Sequence, residues 1–337
     1  MIIPKVDGLL SRQDIRTTGD TIAALQLDSG MIEWFPGGHA DPWNHVEAAM
    51  ALTVTGHLDH AKGAYGWLAD IQLPDGSWHN YYVAHGIEDP KIDTNTVAYI
   101  ATGLWHYWLA THDTAYVRDL FEVVETAIDF VVAHERDQGG IIWARWPDRL
   151  EWDYALLTGT SSISHSLLCA DQLAKVLGLD YPRWRAARQR LVSTVADDPT
   201  AFEPKERWAM DWYYPALTGA VVGDDAEKQF MVGWDTFVMA GRGVRCVSDE
   251  DWVTAAETAE ATLAALAVGL PEHATKLFTW AQALRDQDGS YFTGIAYPDE
   301  VTFPAGERSS YTSAAIVLAA DALDAENPTA RLFTNHE

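Results

Sequence analysis

Basic side chains are scarce in this sequence: 23 Lys and Arg stand against 49 Asp and Glu among 337 residues, a formal charge of −26. Nucleic acids and anionic membrane surfaces demand basic patches, so the balance excludes both as partners and favours a neutral ligand. Cysteine is scarcer still. Cys169 and Cys246 are the whole supply, too few for a disulfide framework, and no Cys/His spacing suits zinc, so both are expected as buried thiols and neither metal nor cofactor is expected. The opening "MIIPKVDGLL" has neither a basic start nor a long apolar stretch, and no later run is long and uncharged enough to span a bilayer. A soluble, cytoplasmic protein is the expectation. Runs of β-branched residues are almost absent between the helical stretches, which argues against a doubly wound sheet.

Aromatic residues are abundant, with 15 Trp and 13 Tyr. A core alone does not call for so many, since each buried indole or phenol needs a polar partner. An aromatic-lined cavity would use them.

The chain also repeats itself. "QLDSGMIEW", "QLPDGSWHNYY", "RDQGGIIWARW" and "RDQDGSYFTG" share an Asp/Gly turn closely followed by an aromatic. Weaker equivalents precede Trp208 and Trp252. Glycine supplies positive φ in such turns and aspartate caps them. Before each turn stands an amphipathic helix; over residues 114–135, Val117, Leu120, Phe121, Val124, Ile128 and Val132 form a dry stripe opposite a charged face. After each turn comes a stretch apolar nearly all round, as in residues 91–110, 161–178, 251–269 and 309–323, with the opening stretch and residues 210–223 completing six. Helices without a wet stripe are buried on all sides. Six wet-faced helices alternating with six dry ones predict a single all-α domain over residues 1–337, an (α/α)6 toroid with six inner and six outer helices; an irregular α-solenoid is the alternative.

In such a ring the N-terminal ends of the inner helices converge on one mouth. Asp41, Trp43, Glu47, Asp93, Asp211, Tyr213, Tyr214, Asp251, Trp252, Glu257, Glu260 and Tyr311 all lie near those ends. Carboxylates beside aromatic platforms suit a sugar polymer, whose flat faces lie on rings while acids handle hydroxyls and the glycosidic oxygen. Glycoside hydrolysis needs two carboxyl groups across the bond, about 6.5–9.5 Å apart when the anomeric configuration is inverted. Several candidates have a structural reading too. Asp41 before Pro42 also reads as an N-cap with proline at N1, and Ser248 with Asp251 as a capping box. Asp211 is a cap or a sugar ligand, and His165 a core histidine or a binding one. Glu47, Glu257 and Glu260 lie inside their helices, where a buried acid is uncommon unless paired, for instance with Arg308.

"QLPDGSW" resembles the repeat motif of squalene–hopene cyclases and prenyltransferase β-subunits. The chemistry of those enzymes is missing: "DEDW" replaces a DxDD, and neither cysteine stands in a D-x-C zinc motif. The turn therefore speaks for architecture. Over most of the length, "HADPWNHVEAAMAL", "ERWAMDWYYPALTGAV", "RGVRCVSDEDWVTAAETAEATLA" and "SSYTSAAIVLAADAL" resemble actinobacterial toroid glycoside hydrolases encoded beside sugar methyltransferases and glycosyltransferases. That resemblance implies an endo-acting α-1,4-mannosidase on a methylated, cytoplasmic mannose polysaccharide.

Site residues follow from helix position. Asp41, at the water-accessible mouth and ionised by its helix N-terminus, is the expected base. Glu257, deeper on an apolar helix with Glu260 one turn below, is the expected acid, its pKa raised by burial and by the like charge. Trp43, Glu47, Asp93, His165, Asp211, Tyr214, Trp252, Glu260 and Arg308 are expected to bind substrate. An isoprenoid cyclase or transferase and a non-catalytic carbohydrate- or lipid-binding protein are the competing functions.

Overall fold

The structure, a computed structural model, describes residues 1–334. Up to residue 176 the helices are α1 (Arg12–Ala23), α2 (Pro42–Val54), α3 (Leu58–Ile71), α4 (Thr94–Ala98), α5 (Ile100–Thr111), α6 (Thr114–Val132) and α7 (Leu157–Val176). Then follow α8 (Pro182–Asp197), α9 (Ala209–Leu217), α10 (Gly223–Phe237), α11 (Ala255–Ala267), α12 (Pro271–Ala281) and α13 (Ser310–Asp324). The dry helices contact one another in a closed cycle: α2 with α5, α5 with α7, α7 with α9, α9 with α11, α11 with α13, and α13 back to α2. The wet-faced helices pack outside them, α3 on α2, α6 on α5 and α7, α8 on α7, α10 on α9, α12 on α11, and α1 on α13 and α2. One hydrophobic cluster runs through both layers from Leu10 to Phe333.

The repeated turns stitch the outer layer. Gln26 Nε2 donates to the Gly30 carbonyl of its own turn and to His60 on α3, both at 2.9 Å. Gln72 Nε2 likewise donates to Gly76 and to Val123 on α6, and Arg136 Nη1 to Gly139 and to Ala201. Gly76 shows why glycine is required there: its φ is +89°, and a Cβ would lie 2.3 Å from the Thr126 carbonyl oxygen. Strain and overpacking each cost about 1–3 kcal/mol, so Gly76→Ala should lose about 2–6 kcal/mol of stability, read as a lower urea midpoint with unchanged slope. The equivalent Gly289 rests against Thr17 of α1, so the last turn joins the first outer helix.

The scarcity of strands predicted from sequence is corrected. Among the described residues, ten short strands occupy connections at the N-terminal ends of the inner helices: the hairpin β1 (Tyr81–Val83) and β2 (Gly86–Asp89); a sheet of β3 (Ile92–Asp93), β4 (Ile142–Arg145) and β5 (Trp152–Ala155); and β6 (Val238–Met239), β7 (Gly243–Arg245), β8 (Trp252–Thr254), β9 (Gly294–Ala296) and β10 (Val301–Thr302). The last five form one antiparallel sheet in the order β10-β9-β8-β7-β6. None exceeds four residues, too short for an alternating pattern to stand out beside the helices. Two predicted inner helices consequently start late, with residues 91–93 and 251–254 in or beside strands, whereas α7 starts four residues earlier than expected. No helix among the described residues is long and apolar enough to cross a membrane.

Candidate active site

At the start of α2, Asp41 is the N-cap residue, accepting from the Asn44 backbone N–H at 3.0 Å. Its other oxygen accepts from the Trp34 indole at 2.9 Å and from Asn44 Nδ2 at 2.8 Å. The expectation of a water-accessible, helix-ionised carboxylate is corrected. Asp41 is only 4% exposed, and desolvation raises its pKa against the lowering effect of these donors. Trp34 makes edge contacts with Tyr81, Tyr311 and His39, so Asp41 sits behind an aromatic rim.

One turn deeper, Glu47 accepts from the Trp43 indole at 3.1 Å and from the Tyr99 hydroxyl at 3.0 Å. Among the described residues no arginine pairs with it. Burial pushes its carboxyl up to about 7, with the Asp41 charge adding to the rise. Glu260, from α11, accepts from the Tyr213 hydroxyl and, at 2.7 Å, from that of Tyr214. Desolvation raises its pKa well above the usual carboxylate range, and the negative charge of Glu47 raises it further. Trp43 bridges the two acids, its ring 5.4 Å from that of Tyr99 and 5.7 Å from that of Tyr214. Two acids and four aromatic side chains from four inner elements thus meet at one place.

Glu257 does not lie deeper than its neighbours. It occupies the first turn of α11 and is partly exposed, taking a hydrogen bond from the hydroxyl of Thr254, the residue that precedes the helix. Its charge acts on Tyr311 across α13 and on the Cys246 thiol, which burial pushes far up. Asp251, read as one half of a capping box, instead accepts from Arg245 Nε at 2.9 Å.

The remaining candidates separate. Asp93 caps α4 through the Asn95 and Thr96 N–H groups; burial lifts it to about 6 against the pull of Lys91 and the Trp143 indole. Asp211 accepts from the Thr158 hydroxyl at 2.5 Å, tying α9 to the first turn of α7, and burial raises its pKa too. Trp252 lies on strand β8, with its indole committed to the Phe303 carbonyl at 3.0 Å. His165 is not at the mouth: halfway down α7, its Nε2 pairs with the Leu332 carbonyl and its ring stacks on Phe333. Arg308 does not neutralise a buried acid. Its guanidinium forms a half-exposed ion pair with Asp286 and covers Phe292. Sequence reasoning missed Tyr99, Trp34 and Tyr81. A tyrosine inside the otherwise apolar "TVAYIATGLW" is the signal that would have marked the first. Among the described residues no group of three His, Cys, Asp or Glu side chains is placed to hold a metal ion.

Acids tuned by desolvation and bonded to aromatic side chains, near the N-terminal ends of the inner helices, are a candidate site for carbohydrate chemistry. A glycosidase variant solved in complex with glucose superposes with a TM-score of 0.73 at 14% identity, covering 94% of this chain and 99% of that one. A D-mannose isomerase superposes at 0.65 with 11% identity, covering 91% and 96%, so the shared fold by itself leaves the chemistry open. No protein-family profile matches the chain. Sequence kinship is more specific: the chain is 45% identical over 331 residues to the MMP endo-(1,4)-3-O-methyl-α-D-mannosidase of Mycolicibacterium hassiacum (strain DSM 44199 / CIP 105218 / JCM 12690 / 3849), covering 98% of this chain and 92% of that protein. It belongs to the family of that mannosidase.

Proposed function

We propose that the chain is a single (α/α)6 toroid that hydrolyses internal α-1,4 linkages of a 3-O-methylated mannose polysaccharide, with Asp41 as base and Glu257 as acid. The observation that carries this reading is the 45% identity, extending over nearly the whole chain, to an enzyme named for that reaction. The geometry supports it. The closed cycle of inner helices is what a toroid requires. Two free, buried cysteines fit a reducing cytoplasm.

Asp41 and Glu257 flank α13, on α2 and α11, with Tyr311 between them. An acid and a base on separate inner helices, with α13 between them, favour inversion over retention, for which the two carboxyls must stand only about 5–5.5 Å apart. Incubation with a 3-O-methylmannose oligosaccharide should release shorter oligosaccharides from within the chain. Proton NMR of the first-formed product should show the β-anomer. A first product with the α-configuration would remove the inverting assignment, and no cleavage of any α-linked mannoside would remove the function.

A further inference from the structure

Two large apolar side chains at the inner-helix ends are left open on one sheet face. Val301 and Phe303 are 54% and 55% exposed, on and just after the edge strand β10. The register aligns them with Trp252. Trp252 pairs with Ala296 and Ala296 with Val301; Thr254 pairs with Gly294, whose carbonyl accepts from the Phe303 N–H at 2.9 Å. Residues two apart on a strand, and residues directly opposite across strands, point to the same face. One face of β8, β9 and β10 therefore carries Trp252, Thr254, Ala296, Gly294, Val301 and Phe303. The other face turns inward, with Val253 fully buried and Ile295 packed on the core.

Gly294 lets the Trp252 ring lie along this face: a Cβ there would collide with the indole nitrogen. The ring is fixed by its bond to the Phe303 carbonyl, meets the Phe303 ring edge-on at 5.4 Å and stays partly exposed. An open apolar face beside an edge strand is a liability unless something covers it. This one adjoins the acid. Thr254, opposite Gly294 and two residues after Trp252, gives its hydroxyl to Glu257. Adjacent strands stand about 5 Å apart and alternate residues about 7 Å, so Trp252 and Phe303 start about 7–10 Å from the residue that holds Glu257. The polar side-chain groups of the face are already spent, the Trp252 N–H on Phe303 and the Thr254 hydroxyl on Glu257.

We propose that Trp252, Phe303 and Val301 form the platform for the mannose unit beside Glu257 and select units carrying a 3-O-methyl group. This rests on the mannoside reading above. A hydroxyl laid against such a face gives up water and gains no partner, whereas a methyl ether has no donor to strand and adds apolar surface for the rings to cover. Methyl selection is thus a property of the sheet, while the acids act on the glycosidic bond.

The test is the ratio of kcat/KM for a 3-O-methylated over an unmethylated α-1,4-manno-oligosaccharide of equal length. Wild type should favour the methylated chain, and Phe303→Ala should lower that ratio about fourfold, the worth of one buried methyl. Val301→Thr, which swaps a methyl for a hydroxyl at constant shape, should lower it less. Both positions are more than half exposed, so both variants should melt close to wild type. Val232→Ala, on the exposed face of α10, is the control that keeps the ratio. Equal losses on both substrates, or a wild type indifferent to methylation, would overturn the selection. So would concentration-dependent dimerisation in sedimentation that Phe303→Ala abolishes while the ratio holds, since a second copy would then be what covers the face. A wild type that cleaves no α-mannoside fails the functional reading itself; turnover of both substrates with an unresponsive ratio fails the platform alone.

Discussion

Asp41→Asn and Glu257→Gln should each lower turnover of the polysaccharide by about 10³-fold or more, at the upper part of the range for removing a general base or acid. Both exchanges keep side-chain volume. Asparagine caps a helix about as well as aspartate, so the contact with the Asn44 N–H survives, but the carboxamide can no longer take a proton from water. One of its Nδ2 hydrogens must also face the Trp34 or Asn44 donors, which makes a loss of about 1 kcal/mol in stability the expected side effect. Glutamine at 257 still accepts from the Thr254 hydroxyl and has no proton to give. The two roles separate by leaving group. An aryl mannoside with an acidic phenol departs without protonation, so Glu257→Gln should retain much of its activity on such a substrate while Asp41→Asn does not. Oligosaccharide binding should persist in both. Near-normal turnover by Asp41→Asn would reduce Asp41 to a cap and transfer the base to Glu47 or Asp211.

The repeat was the most legible part of the molecule. The Asp/Gly turns recur because each must present a positive-φ glycine to a neighbouring outer helix, and that requirement is written locally, as at Gly76 and Gly289. The dry and wet helices were legible for the same reason: burial on all sides or on one side sets composition directly. The short strands were not, because three-residue segments such as Trp252–Thr254 are held by backbone pairing across the sheet, Val253 opposite Arg245 on one side and opposite Ile295, distant in the chain, on the other.

For the site, the sequence marked which acids lie inside helices but not what faces them. Glu47 reads as a candidate for pairing with arginine, whereas its partners are Trp43, one turn earlier on the same helix, and Tyr99, from the next inner segment. Arg308 misled for the converse reason. It stands beside the first residue of an inner helix, and only the fold shows its guanidinium turned to the Asp286 turn. Depth failed too: Asp41 is enclosed by Trp34, a residue from the preceding turn, so position along the helix did not measure burial.

Glu260→Gln should abolish much of a stability loss that the wild-type protein suffers as pH rises. The folded-state pKa of Glu47 is raised from 4.5 to about 7 by desolvation and the Asp41 charge, and Glu260 is raised in the same direction by desolvation and by Glu47. A carboxyl whose folded pKa exceeds its unfolded one binds its proton more tightly in the folded state. Its favourable contribution is complete below the unfolded value and is lost as pH rises through the folded one. For Glu47 that window runs from 4.5 to about 7, and a shift of that size corresponds to about 3 kcal/mol. Glu260 contributes with the same sign. Because the acids face each other across Trp43, they lose protons as a pair: the first leaves a single charge that Tyr99, Tyr213 and Tyr214 can solvate, and the second places two charges at one place. A neutral amide at 260 removes that second step. The melting temperature of Glu260→Gln, subtracted from that of wild type at each pH, should show the variant gaining steadily between about pH 5 and pH 8, whatever the overall acidity of the chain does to both proteins. Glu47→Gln should show a smaller version of the same gain and keep part of its activity, since the proposed roles leave Glu47 to orient a sugar hydroxyl rather than to react. A difference curve flat with pH would mean that the two carboxyls are ionised and solvated throughout, and the pairing would have to be abandoned.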